Sequence, residues 1–223
     1  MLILNLKTLM QALERGLISN DWIIAILLVA MLLIFVLKII SSTRLFGYTF
    51  SFFLKGFIEK RVEENPSYFS VFHIVLFTFS AIISSLFILL FVDAFSLYKI
   101  DGFISFWQLF IFVFLYLTLK FLLDFLLSRL FRISVGIRYF SFSKNGYFYT
   151  LNIWLFPILI LYVFSIKNSY FLITSFLLLL TIRFIFILTN NKNLILSKLF
   201  YFILYLCALE IAPLFILYKL MIK

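Results

Sequence analysis

The chain has few of the residues from which disulfides, metal sites and covalent active sites are usually built. Its 223 residues include one cysteine, one histidine, six glycines and three prolines. A single cysteine excludes an intramolecular disulfide, and one cysteine with one histidine argues against a zinc site or a bis-histidine haem. The sequence also lacks a glycine-rich phosphate loop, an H-E-x-x-H pair and a G-x-S-x-G elbow. We therefore expect no metal, no cofactor and no catalytic constellation.

Charge is also scarce, whereas apolar residues dominate. Only 13% of the residues are charged, 65% are hydrophobic and 22% are aromatic, and the mean hydropathy is +1.20. No soluble domain buries so much apolar surface, so the composition predicts several transmembrane segments. The net charge of +10 does not indicate nucleic-acid binding, because the basic residues flank apolar runs and form no groove-sized patch.

The apolar runs have the length that a bilayer requires. About twenty residues at ~1.5 Å per residue cross a hydrocarbon core of ~30 Å. Six such runs predict an all-α membrane bundle in one domain over residues 1–223, with spans at 22–40, 68–92, 103–123, 147–166, 170–188 and 199–218. Residues 135–145, between the third and fourth spans, are predicted to form a loop.

Two further segments are amphipathic. Residues 1–18 place leucines on one helical stripe and charged side chains on the opposite face. Residues 43–65 carry phenylalanines at helical spacing opposite charged residues, and end at an Asn-Pro pair. These patterns are typical of helices that lie in the membrane interface, so one or two interfacial helices are predicted.

Basic residues are concentrated in the loops that follow the first and third spans. The loop after the second span has one basic residue, Lys99, and the loop after the fourth span has one, Lys167. The positive-inside rule then puts the basic loops in the cytoplasm and, with six spans, both termini on the other side. The basic residues expected at the headgroups, where anionic lipids are candidate partners, are Lys55, Lys60, Arg61, Arg129, Arg132 and Arg138.

Glu210 lies near the middle of the last predicted span, three residues before Pro213. A carboxylate at that depth is costly and usually has a function or a partner. Pro213 has no backbone N–H and frees the carbonyl of Leu209, an arrangement with which transporters and proton relays build ion sites. The structural alternative is a protonated glutamate bonded to a neighbouring helix. Both readings stay open.

Two other polar residues lie inside predicted spans. Arg183 is about 8 Å from the end of its span and Glu210 about 16 Å from the same side, at ~1.5 Å per residue. A direct pair therefore requires both side chains to reach toward each other, and snorkelling of Arg183 to the interface is easier. Asn152 is more typical of a contact between helices than of a ligand site. It is also a candidate partner of Glu210.

Three residues have weaker functional signals. His73 is near the end of a span with only Ser70 in sequence reach, and we interpret it as a structural histidine rather than a catalytic base. Lys120 and Asp124 are one helical turn apart at the end of the third span. Their order is the weaker one for a helix surface pair, so they mark a boundary.

Parts of the sequence resemble a known family. The C-terminal run at 205–214, YLCALEIAPL, is similar to the closing motif of integral membrane proteins from Bacteroidota that form a domain of unknown function, number four-two-seven-one. The pair Asp21-Trp22, the segment 52–57 (FFLKGF) and the segment 152–157 also resemble that family. The most specific element is the Cys-x-x-Glu-x-x-Pro core.

The resemblance covers most of residues 21–219 and implies a location in the inner membrane of a Gram-negative cell. It implies that Glu210 and Pro213 belong to the design of the family. It brings no activity, so no catalytic role is transferred to any residue of this chain.

The absence of catalytic motifs, together with aromatic interfacial segments, favours a non-enzymatic subunit or scaffold of an inner-membrane complex. Envelope assembly, secretion and motility are the processes considered. The first alternative is a transporter or proton-coupled channel that uses Glu210. The second is a lipid-modifying enzyme, which requires at least two of His73, Asp124 and Glu210 to converge.

Overall fold

A computed structural model describes residues 21–51, 70–95, 102–130, 134–166 and 168–190, and the side chains of 21–51, 70–95, 103–123, 143–166 and 168–187. The predicted interfacial helix at 1–18 and the sixth span at 199–218 lie outside these residues, as does most of 43–65. So do six of the candidate residues: Lys55, Lys60, Arg61, Arg132, Glu210 and Pro213.

The described part of the chain folds into five helices. In chain order they are α1 (Asp21–Thr49), α2 (Val71–Ala94), α3 (Gly102–Leu130), α4 (Ser134–Phe164) and α5 (Ser169–Asn190). Each contains a stretch long and apolar enough to cross a membrane. The described part of the protein is therefore all-α, with five candidate membrane spans.

Helix α1 is interrupted at Ser41, whose backbone is extended (φ −163°, ψ 95°). The interruption lies where the sequence analysis ends the first span. Beyond it, Leu45 and Tyr48 are buried in the bundle. One face of residues 42–51 therefore packs against other helices, whereas Phe46 and Phe50 are exposed.

Helix α4 begins much earlier than predicted, and the predicted loop at 135–145 is wrong. Its 31 residues start at Ser134 and extend about 46 Å at ~1.5 Å per residue. The loop was inferred from polar residues and Gly136, but a lone glycine costs a helix only about 1 kcal/mol and no proline follows until Pro157. Lys144, expected in that loop, is a buried residue of α4 with 3% of its surface exposed.

Helix α2 is the centre of the bundle. It contacts each of the other four described helices. In its most apolar stretch 56% of the residues are buried, compared with 11% in α3 and in α5. Stacked rings join α2 to α5 through Phe87 and Phe176, whose centroids are 4.2 Å apart. Phe79 of α2 meets Phe156 of α4 edge to face at 6.0 Å.

The hairpin order of the helices brings four ends to one side of the bundle. These are the end of α1, the start of α2, the end of α3 and the start of α4, joined by contacts such as Tyr48 with His73 and Ser51 with Thr150. The orientation expected from the basic residues stays a prediction.

Candidate functional site

His73 is the centre of a hydrogen-bonded group on this side of the bundle. It lies in the first turn of α2 with 8% of its surface exposed. Its Nδ1 is 2.6 Å from Ser70 Oγ, and its Nε2 is 3.3 Å from the Tyr48 hydroxyl. A neutral imidazole has one donor and one acceptor nitrogen, and each hydroxyl serves in either role. Both ring nitrogens are thus occupied, and the histidine links α1 to α2.

The last carbonyls of α1 are bound by side chains of α4. Thr150 Oγ1 donates to the Tyr48 carbonyl at 2.9 Å, and Trp154 Nε1 donates to the Thr49 carbonyl at 3.0 Å. A helix leaves its final carbonyls without partners, and in a membrane each unsatisfied group is costly. Ser51 Oγ is 2.6 Å from Thr150 Oγ1. Because the threonine has a single hydroxyl hydrogen, Ser51 donates to it while Thr150 donates to the carbonyl.

Asn152 joins α2 to α4 in the interior. Its side chain is fully buried. Its Oδ1 accepts from Ser84 Oγ at 2.9 Å, and its Nδ2 donates to the Phe148 carbonyl at 2.9 Å. Both polar atoms of the amide are thus bonded within the described part of the protein, which is the contact between helices that the sequence favoured.

A cavity of about 210 Å³ lies beside His73, between α1, α2, α3 and α4. Its walls are mostly apolar and aromatic. Phe77 of α2 contacts Phe114 and Phe121 of α3, with centroids 5.6 and 6.4 Å apart. The lining residues are Tyr48, His73, Ile74, Phe77, Phe114, Thr118, Phe121, Asn145, Gly146 and Tyr149.

The remaining described candidates lie elsewhere. The Arg183 guanidinium is half-buried on α5 and lies over the ring of Phe148, 5.6 Å from its centroid. Lys120 Nζ lies 6.0 Å from the centroid of Tyr116 on its own helix. The backbone of Asp124 and Arg129 belongs to α3 and that of Arg138 to α4; their side chains lie outside the described set.

The pairing of Arg183 with Glu210, the less favoured alternative to snorkelling, stays untested because Glu210 lies outside the described residues. The same holds for a site where His73, Asp124 and Glu210 converge. Within the described part of the chain, no three residues among His, Cys, Asp and Glu lie close enough to hold a metal ion.

Sequence reasoning missed most of the residues around His73. Tyr48 was part of a predicted interfacial segment, and Tyr149 and Thr150 were ordinary members of a span. The available signal was weak: small hydroxyl residues in an apolar run are typical of contacts between helices.

The comparisons with known proteins gave one match. A family model described as "Domain of unknown function (DUF4271)" matches residues 23–221. No curated protein and no solved structure matches the chain.

Proposed function

This chain belongs to the DUF4271 family, and we propose that it is a non-enzymatic subunit or scaffold of a bacterial inner-membrane complex. Its cell would be a member of the Bacteroidota. The complex would serve envelope assembly, secretion or motility.

The supporting observation is how the buried polar side chains are used. Both ring nitrogens of His73, both amide atoms of Asn152 and the hydroxyl of Thr150 bind other residues of the bundle. Such bonds hold transmembrane helices together. Polar groups that bond to one another in this way hold the neighbouring helices around α2 in a fixed frame. Such a frame suits a protein whose role is to position its partners.

Partners would meet the frame on its outer apolar faces. Leu32 of α1, Leu115 of α3 and Leu178 of α5 have 63%, 61% and 57% of their surfaces exposed. Lipid covers such faces wherever a partner does not. The basic residues at the headgroups would add attraction to anionic lipids.

Site-specific photo-crosslinking tests the proposal. A photoreactive residue is placed in turn at Leu32, Leu115 and Leu178, and as a control at the buried Leu155. We expect at least one outer position to give a discrete crosslink to another membrane protein, and the same partner to co-purify in mild detergent at a defined stoichiometry. A strictly monomeric protein, with only lipid adducts at all three outer positions, would contradict the proposal.

A transporter or proton-coupled channel is the second candidate. Arg183, half-buried against Phe148, places a cation on the helix that precedes the predicted span of Glu210. This function requires Glu210 to exchange protons, so Glu210→Gln should abolish proton flux in dye-loaded liposomes. Equal flux for Glu210→Gln and the wild type would eliminate this candidate.

A further inference from the structure

We propose that the cavity beside His73 binds the ring of a lipid-soluble quinone. The argument rests on hydrogen-bonding groups in the cavity wall, on its aromatic lining and on its size.

Tyr149 provides the main observation. Only 6% of its surface is exposed, and it lines the cavity. Its ring meets Tyr48 edge to face at 6.2 Å, but among the described residues its hydroxyl has no hydrogen-bond partner. Because the hydroxyl is not among the fully enclosed unpaired atoms of the described residues, it is accessible from the cavity. A ligand oxygen there would accept its hydrogen and supply the bond that it lacks.

Asn145 offers a second group on the same wall. It precedes Tyr149 by four residues, so the two side chains lie on one face of α4, and it also lines the cavity. Its side-chain amide likewise has no hydrogen-bond partner within the described part of the chain. The two residues place donors one helical turn apart, which suits a ligand with carbonyl oxygens.

The rest of the wall favours an uncharged, flat ligand. None of the ten lining residues is Lys, Arg, Asp or Glu, and six of them are Phe, Tyr or His. Aromatic walls favour a ring stacked or packed edge to face. An ionic headgroup would find no counter-charge among these described lining residues. A carbonyl-bearing ring satisfies both the donors and the walls.

The size of the cavity admits a ring and excludes a whole lipid. Its 210 Å³ is many times the ~10–15 Å³ that a cavity needs to hold one water. This holds a single or fused ring, and an isoprenoid tail would then lie in the bilayer. An ester-linked phospholipid has the same carbonyl chemistry but a charged head and no ring. We therefore assign the site to the quinone.

The test uses the full chain in nanodiscs made of quinone-free phospholipid. The probes are menadione and a short-tailed benzoquinone, and binding is measured by equilibrium titration. We expect saturable binding to the wild type. Tyr149→Phe keeps the ring and removes only the hydroxyl, so it should weaken binding about tenfold. Tyr162→Phe, a half-buried tyrosine of the same helix outside the cavity, is the matched control and should bind like the wild type.

A second variant makes the result independent of that hydroxyl. Phe114→Trp fills the cavity from the peripheral helix α3 and should abolish binding while the protein keeps its elution volume and helicity. Three results would overturn the proposal. These are no saturable binding to the wild type, equal binding to Tyr149→Phe, and full displacement of the quinone by a soluble short-chain diacyl phospholipid.

Discussion

The described part of the bundle contains two buried clusters that are built differently. The larger, here the apolar core, joins all five described helices around Phe79, Leu86 and Leu155. The smaller, here the polar end, contains Tyr48, Phe72 and Tyr149 with His73 beside them. Lipid is as apolar as leucine, so burial alone does not drive helices together in a membrane. The apolar core must hold by shape and dispersion, and the polar end by hydrogen bonds.

This contrast predicts that the apolar core tolerates truncation least. Phe79 is fully buried, so Phe79→Ala should leave a cavity that lipid cannot fill and reduce the unfolding free energy by about 3 kcal/mol. Reversible unfolding in mixed micelles, followed by circular dichroism, measures the change. The matched control is Phe35→Ala in α1, where 59% of the side chain is exposed and lipid replaces it, with an expected change below about 0.5 kcal/mol. Equal losses for the two variants would refute packing as the source of stability.

The polar end should respond to the loss of one hydroxyl. Thr150→Val keeps the shape and removes the hydroxyl that bonds the Tyr48 carbonyl and the Ser51 side chain. The carbonyl keeps the longer 3.4 Å bond from the Ser51 backbone N–H, so we expect a loss of about 1–2 kcal/mol. Thr174→Val is the control, because Thr174 is exposed and bonds only carbonyls of its own helix. The same unfolding assay compares them. If Thr174→Val costs as much as Thr150→Val, the bonds across helices contribute nothing specific.

The smallest effect belongs to the hydrogen bond that joins α2 to α4 in the interior. Ser84 and Asn152 should show a coupling energy of about 0.6 kcal/mol, the average for hydrogen bonds between membrane helices. A double-mutant cycle with Ser84→Ala, Asn152→Ala and the double variant measures it. Strict additivity of the two single changes would show that the 2.9 Å contact does not stabilise the bundle.

The sequence predicts the apolar core better than the polar end. Hydropathy and length locate the spans that became α1, α2, α3, α4 and α5, because the cost of exposing polar backbone to lipid acts on each segment separately. The break near residue 41 is also visible, since Lys38 and the following serines interrupt the apolar run.

The polar end depends on which helices become neighbours, and periodicity does not encode that. Thr150 and Tyr48 are 102 residues apart, and the sequence around either residue does not indicate that the other is its partner. The early start of α4 has a local cause, because no proline interrupts the helix before Pro157. Lys144 is of a residue type common in loops, but it is buried in the folded protein. The burial of Lys144 is a tertiary effect that its neighbours in sequence do not encode.

The side chains that bond the end of α1 also constrain the order in which the fold forms. The Thr49 carbonyl cannot accept its hydrogen bond until Trp154, 105 residues later in the chain, has been synthesised. At ~5–20 residues per second, the ribosome needs roughly 5–20 s to deliver it. We therefore expect a nascent chain stopped before residue 150 to insert α1 but to leave its last turn open to hydrogen exchange. The last turn of the first helix therefore becomes stable only after the fourth helix has been synthesised.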